Sequence, residues 1–303
     1  MISDMKELNK KSYFSYFEII ASMLIFGTVG AVRRGMLFPS GFVAMARGFI
    51  GAVVIVGFML LTGKKPSFKS IKENALPLIL SGAFIGINWI FLFESFRYTT
   101  VAVATICYYM APVFVVLLSP FVIRERVGAV KIFTVLLAVF GMILVSDLQN
   151  LKEAGGALGI ILALLAAVFY ALVTITNKKL KNISSLDRTL VQLFVAAVTV
   201  LPYTLTMEKT KAEMFDTKSL VLLFVLGVLH TGVAYLMFFS SIERLPAVTV
   251  SLFGYIDPVF AVIISVVLLG EELSLLGAIG AVIVVVSMIA SELFDFISHS
   301  KKR

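Results

Sequence analysis

The 303-residue chain is 60% hydrophobic and only 15% charged, with a mean hydropathy of +1.03 and a formal net charge of +8. Soluble domains carry about a quarter charged residues, so this composition excludes a soluble globular domain and describes a multi-spanning membrane protein. The single cysteine, Cys107, excludes an intramolecular disulfide and a cysteine-rich metal site. The basic residues cluster between apolar runs, which points to membrane-surface loops rather than nucleic acid.

Ten apolar runs, each near the ~20 residues a span requires, follow in chain order. Span 1 (14–32) carries Glu18 at its inner start, an interfacial position, and then Phe26, Gly27 and Gly30. It ends at Arg33-Arg34 without a small-x-small cleavage site, so it reads as a span and not as a cleaved signal peptide. Span 2 (41–62) holds Arg47 about two turns inside the membrane. Span 3 (75–95) has Gly82 and Gly86 as a small-xxx-small pair for close helix packing. Asn88 and Trp89 follow as candidate donor and stacking faces, then Glu94, three residues before Arg97, a spacing that permits a helical ion pair. Span 4 (102–122) contains Tyr108, Tyr109 and Pro112 and is closed by Glu125. Spans 5 (128–146) and 6 (156–177) are apolar throughout, and span 7 (188–206) contributes Gln192. Span 8 (219–239) contains His230, read either as a proton carrier or as a hydrogen-bonded packing residue. Span 9 (246–269) has Tyr255, Asp257 and Pro258 and is closed by Glu271. Span 10 (275–296) begins with Gly277 and Gly280. The runs are continuous, which excludes the alternating ~10-residue segments of a β-barrel.

Spans 4 and 9 repeat one another. Tyr109, Pro112 and Glu125 recur as Tyr255, Pro258 and Glu271, each 146 residues later, and Phe93 recurs as Phe239. Ten spans therefore divide into two fives, residues 1–148 and 149–303. Because five is odd, the second copy enters the membrane upside down. The loops agree: "RERVGAVK" after span 4 is basic, whereas "GEELSLLGA" after span 9 has two acids and no base. The expected fold is all-α and integral to the membrane, ten transmembrane helices in two inverted five-helix repeats. Such repeats characterise secondary transporters, with the substrate near the midplane. Pro112 and Pro258 each deprive the carbonyl four residues earlier of its donor. At mid-membrane that makes them candidate hinges or linings of a wet cavity.

At these residues the chain resembles the EamA type of the drug/metabolite transporter superfamily. The matching stretches are "ESFRYTTVAVATICYYMAPVFVVLLSPFVIRERVGAVKIFTVLLAVFGMIL" and "GVLHTGVAYLMFFSSIERLPAVTVSLFGYIDPVFAVIISVVLLGEELSLLGAIGAVIVVVSMI". Arg47 in "MARGFIGAVVIV" is similar to the family's arginine near the outer start of span 2. Where the family often has Trp-Gly in span 1, this chain has Phe26-Gly27, which removes an indole donor. The resemblance implies ten helices, inverted repeats and a central substrate cavity.

Asp257 is the foremost site candidate. A mid-membrane Asp costs about 2.5–3.5 kcal/mol to insert, and its repeat counterpart is the neutral Ala111. It fits a protonatable coupling group or a counter-charge for an ammonium group; a bond to the backbone beside Pro258 is the structural alternative. The candidate cavity residues are Asp257, Tyr108, Tyr109, Tyr255, Asn88, Trp89, Arg47, Glu94, Phe26 and His230. No nucleotide-binding motif is present, and one membrane Asp with two His in the chain offers no catalytic pair, so an enzyme is not expected. No cofactor or metal is expected either. The expected function is secondary active transport of a small metabolite across the plasma membrane, the inner membrane of a bacterium, with protons as a candidate coupling ion. An amino acid or related compound, exported, is the leading substrate; import of a small cation such as choline is the alternative.

With the N-terminus in the cytoplasm, 18 of the 26 Lys and Arg fall on inner segments: Lys6, Lys10, Lys11, Lys64, Lys65, Lys69, Lys72, Arg124, Arg126, Lys131, Lys178, Lys179, Lys181, Arg188, Arg244, Lys301, Lys302 and Arg303. Seven fall outside and Arg47 lies within a span. This positive-inside bias places both termini in the cytoplasm. In a Cys107→Ser background, an impermeant thiol reagent added outside is therefore expected to label cysteines placed in 207–218 and to miss those in 64–72; the reverse pattern overturns the orientation.

Overall fold

The computed structural model describes residues 2–99, 101–125, 127–145, 156–269 and 274–300. Among them nine helices are long and apolar enough to cross a membrane, and a shorter apolar helix, Ala129–Val145, fills the place of span 5. Every expected span thus has a helix within a few residues of its sequence bounds. The differences lie at the ends, where polar residues continue a helix past its apolar run, as Arg97 does in Ala75–Tyr98.

The chain separates into two compact units. One comprises Met1–Ile90 and Thr176–Leu245, the other Phe91–Ile175 and Pro246–Arg303. Each draws on both halves of the sequence. In the first unit lie α1 (Ile2–Gly27), α2 (Val29–Arg34), α3 (Ser40–Leu61), α4 (Phe68–Glu73) and the start of α5 (Ala75–Tyr98). The second unit takes the end of α5, then α6 (Val101–Tyr108), α7 (Ala111–Val122), α8 (Ala129–Val145) and most of α9 (Ala157–Asn177). The first unit resumes with α10 (Ser185–Met207), α11 (Thr217–Gly227), a π-turn at Val228–Val233 and α12 (Ala234–Arg244). The second unit closes with α13 (Ala247–Phe253), α14 (Ile256–Leu269) and α15 (Leu275–Ser300).

In the first unit α3 packs on α10, span 2 on its repeat counterpart. The pairing is antiparallel: Gly48 faces Ala197, Gly51 faces Leu193, and Ile55 and Met59 cluster with Leu186. Glu208, just past α10, accepts hydrogen bonds from Gly41 N at 2.8 Å and Phe42 N at 2.7 Å. It therefore caps the start of α3, where amides lack intrahelical partners and a negative charge suits the dipole. Gly82 and Gly86 rest α5 on the same α10, against the carbonyls of Gln192 and Ala196. The small-xxx-small reading thus has a definite partner. Gly30, by contrast, has open space where a Cβ would stand and makes no close approach. A buried polar chain joins these helices: Asn177 Nδ2 donates to Ser81 Oγ at 2.8 Å, and Gln192 Nε2 donates to Asn177 Oδ1 at 3.0 Å. Gln192 thus packs through its amide nitrogen, while its buried Oε1 has no hydrogen-bond partner among the described residues. At the other end of the unit Arg188, fully buried, donates to Phe239 O at 3.0 Å and reaches Glu243 at 3.5 Å. Glu18, also buried, pairs with Arg244 at 3.2 Å.

In the second unit α8 packs antiparallel on α15, again a span on its repeat counterpart. Gly141 faces Gly280, Ile283 and Val284, while Gly280 faces Leu144. Equivalent spans running antiparallel is what an inverted repeat requires. After α7 the chain turns at Arg124, whose φ of 56° is a left-handed conformation uncommon outside glycine. The turn delivers Glu125 to the start of α13, where it accepts from Ala247 N at 3.1 Å and Val248 N at 3.4 Å. Lys131 Nζ donates to Thr249 Oγ1 at 3.2 Å beside it.

At Gly86 an added Cβ stands 2.8 Å from the Ala196 carbonyl and 2.7 Å from Thr199 Cβ, whereas at Gly57 it meets nothing within 4 Å. Gly86→Ala is therefore expected to lower stability by about 1–3 kcal/mol through overpacking. Gly57→Ala is expected to be neutral or stabilising by up to about 1 kcal/mol through helix propensity. Thermal unfolding of the purified variants in detergent distinguishes them.

Candidate functional site

Both proline-bearing spans lose regular helical hydrogen bonding at the proline, while Met110 and Gly254 keep right-handed helical backbone angles. α6 ends at Tyr108 and α7 starts at Ala111, with Pro112 in its first turn. α13 ends at Phe253 and α14 starts at Ile256, with Pro258 in its first turn. The breaks coincide in the repeat, and both prolines are buried. Pro112 cannot donate to the Tyr108 carbonyl, nor Pro258 to that of Gly254, so each helix stops and restarts through tight three-residue turns. These are Met110 N to Cys107 O at 3.2 Å and Tyr255 N to Leu252 O at 3.1 Å. The two breaks are joined directly. Tyr255, fully buried, donates its hydroxyl to the Tyr109 carbonyl at 2.7 Å. These two tyrosines are repeat equivalents, so the bond crosses the local symmetry axis of the second unit.

Aromatic rings collect around this junction. Tyr109 lies 6.3 Å from Tyr255 and 5.8 Å from Tyr108, and Tyr108 lies 5.9 Å from Tyr170 of α9, centroid to centroid. Asp257 stands in the first turn of α14, half-buried, close enough for its charge to act on the Tyr109 hydroxyl. Among the described residues no donor sits on its carboxylate. Four tyrosines and one carboxylate thus face a place where two half-helices begin. A helix start carries partial positive charge. At α14 Asp257 offsets that charge; at α7 the equivalent residue is Ala111, and nothing acidic does. The site is therefore polar in two senses, acidic on one half-helix and electropositive on the other, between aromatic faces able to stack on a cation.

The first unit has a second cluster. Arg47 of α3 lays its guanidinium over Trp89 of α5, 4.2 Å from the ring centroid. Trp89 lies 6.2 Å from Tyr235 of α12, and Tyr235 lies 5.1 Å from Phe26 of α1. Asn88 is buried beside Trp89 in sequence. His230, buried in the π-turn, reaches Thr28 Oγ1 with Nε2 at 2.8 Å and the Val225 carbonyl with Nδ1 at 3.4 Å.

The sequence candidates therefore sort into two groups. Tyr108, Tyr109, Tyr255 and Asp257 meet at the breaks in the second unit; Phe26, Arg47, Trp89 and His230 belong to the first. Glu94 pairs with Arg97 at 2.9 Å. Tyr170, Tyr235 and Thr28 were missed by sequence reasoning. Tyr170 and Thr28 lie in apolar spans with no adjacent proline or charge. Tyr235 did carry a signal, since it is the 146-residue counterpart of Trp89.

Comparison with known proteins agrees with this architecture. Residues 14–147 and 157–291 each match the model of the EamA-like transporter family, and the chain belongs to that family. An uncharacterized transporter of Bacillus subtilis (strain 168), YxxF, is 29% identical over 284 residues, 92% of this chain and 90% of the relative. A second, YetK, from the same organism is 29% identical over 301 residues, covering 92% and 86%. An uncharacterized transporter of Clostridium kluyveri is 23% identical over 283 residues, covering 91% and 88%. A crystal structure of a protein superposes with a TM-score of 0.80 at 16% identity over 94% of this chain and 98% of that one, a likeness of fold. The protein is a multi-pass membrane transporter and not an enzyme.

Tyr255→Phe keeps the ring and removes the donor on the Tyr109 carbonyl. A buried acceptor left unpaired costs about 1–3 kcal/mol. The unfolding midpoint of the variant in detergent is expected to fall accordingly; an unchanged midpoint shows that the hydroxyl does not hold the two breaks together.

Proposed function

We propose that the protein is a secondary active transporter of a small amino-acid-like metabolite, working by alternating access across the plasma membrane with both termini in the cytoplasm. The observation that carries this is the pairing of two interrupted helices at one aromatic site. Discontinuous helices in transporters offer their positive ends to anionic substrate groups. Here the α7 start suits a carboxylate, while Asp257 with the Tyr108, Tyr109 and Tyr170 rings suits an ammonium group. A zwitterion satisfies both poles at once. Export is the direction proposed. On this reading residues 1–148 and 149–303 are the two inverted repeats, although each compact unit takes helices from both.

A second reading, import of a small cationic amine such as choline, draws on the same carboxylate and rings. Cation–π contacts contribute up to about 2 kcal/mol when desolvated. It leaves the α7 start without a role, which is why the zwitterion is preferred.

Asp257→Asn keeps the volume and removes the charge. The variant is expected to fold, and to be no less stable, since a costly mid-membrane charge is gone. Flux of radiolabelled substrate in proteoliposomes is expected to fall at least about tenfold, equivalent to ~1.4 kcal/mol. If Asp257 couples protons, exchange between equal substrate pools survives while pH-driven accumulation is lost. If it binds the ammonium group, both assays weaken. Amino acids as methyl esters should compete poorly if the α7 start reads the carboxylate, and as well as the parent compound if only the amine is read. Near-normal flux in the Asn variant overturns the site.

A further inference from the structure

His230 sits where two irregular helices touch. α1 stops at Gly27 and α2 begins at Val29, so Thr28 is a turn within span 1. Span 8 widens into a π-turn over Val228–Val233, and Thr231 Oγ1 bonds back five residues to Leu226 O at 2.9 Å. π-turns are rare and concentrate at functional positions. The imidazole joins the two irregularities, and its contacts can be counted in protons. Three links run in series: Nδ1 to Val225 O at 3.4 Å, Nε2 to Thr28 Oγ1 at 2.8 Å, and Thr28 Oγ1 to Ile25 O at 2.8 Å. Both end atoms are carbonyl oxygens, which only accept. Each link therefore needs its own proton. The Thr28 hydroxyl supplies one, and a neutral imidazole supplies one more. Two protons cannot make three links, whichever tautomer is drawn. An imidazolium supplies two, and then all three links are made: Nδ1–H to Val225 O, Nε2–H to Thr28 Oγ1, and the hydroxyl to Ile25 O.

We propose that His230 is a proton-binding site whose protonation closes a clasp between spans 1 and 8, and whose deprotonation releases one link of it. The charged group that acts on His230 is Arg47 from α3, itself stacked over Trp89. From span 1 the neighbour is the uncharged Thr28, and within span 8 it is the Val225 carbonyl. The inference rests on the transporter reading only for its consequence: a proton whose binding reshapes a substrate-conducting span is a coupling ion. This is separate from any proton carried by Asp257.

The test is histidine 15N NMR on the purified protein without substrate. The chain has only two histidines, His230 and His299, so His299→Gln leaves a single imidazole. The expected result is an imidazolium with both ring nitrogens protonated that becomes populated as the pH falls towards 5. In Thr28→Val the ratio of imidazolium to neutral imidazole at pH 6 falls about tenfold, the fold-change for losing a ~1.4 kcal/mol bond to a charged group; Thr28→Ser restores it. A His230 that stays neutral down to pH 5, or a ratio unmoved by Thr28→Val, overturns the proposal. Should the Val variant not fold, hydrogen exchange on the unmodified protein decides. Protection of amides around Thr28 and His230, corrected for intrinsic rates, is lost as pH rises through the His230 titration if the clasp exists, and is pH-independent if it does not. Because no substrate is present, these readouts fail or succeed independently of what is transported.

Discussion

Hydrocarbon offers no water to an unpaired carbonyl, so every helix interruption inside a membrane must find a partner from the protein or from a ligand. This chain interrupts spans 4 and 9 at matching positions and answers one interruption with the other, through the Tyr255 hydroxyl on the Tyr109 carbonyl. That bond fixes the spacing of the two half-helix starts. Around it gather the rings of Tyr108, Tyr109, Tyr170 and Tyr255, with Asp257 in the first turn of α14. Pro112 and Pro258 favour the interruption, because each removes a helical hydrogen bond and crowds the carbonyl four residues back; proline alone does not force it, since Pro120 and Pro202 sit inside continuous helices.

Polar residues in the membrane-embedded part do two distinct jobs. Some close the structure. Arg188 holds the last turns of α12, Glu208 and Glu125 cap helices far away in sequence, and Asn177 ties α5 to α10. Each such group is paired, as burial demands, since an unpaired charge in a low-dielectric interior costs several kcal/mol. Others keep donor or acceptor capacity in reserve. Among the described residues no donor sits on Asp257, and His230 has one link more than its neutral form can make. Reserve capacity of this kind is unfavourable for stability, and its persistence is best understood as chemistry directed at a ligand or a proton.

Close helix approach does the rest of the building. With lipid as apolar as any side chain, packing rather than hydrophobic burial drives association in the membrane. Gly48, Gly51, Gly82 and Gly86 let α3 and α5 settle on α10, and Gly141 with Gly280 does the same for α8 and α15. The antiparallel pairs α3–α10 and α8–α15 are each made of repeat-equivalent spans.

The amino-acid sequence alone determined the number of spans, the repeat, its inversion and the two sites of interruption. These depend on local properties: apolar length, loop charge, and the fixed geometry of proline. It also singled out Asp257, because a charge in a long apolar run is visible without knowing its neighbours. What Glu125 and Glu208 hold was not legible, since a carboxylate at a helix end looks interfacial until the distant helix start it caps is known. Tyr170 and Thr28 were hidden for the same reason, and Arg47 gave no sign that Trp89 was its platform. The grouping of helices into two units that each mix both halves was likewise decided only by tertiary structure. Contacts between residues a hundred or more positions apart depend on which helix faces pack together, and periodicity within one apolar span does not encode that.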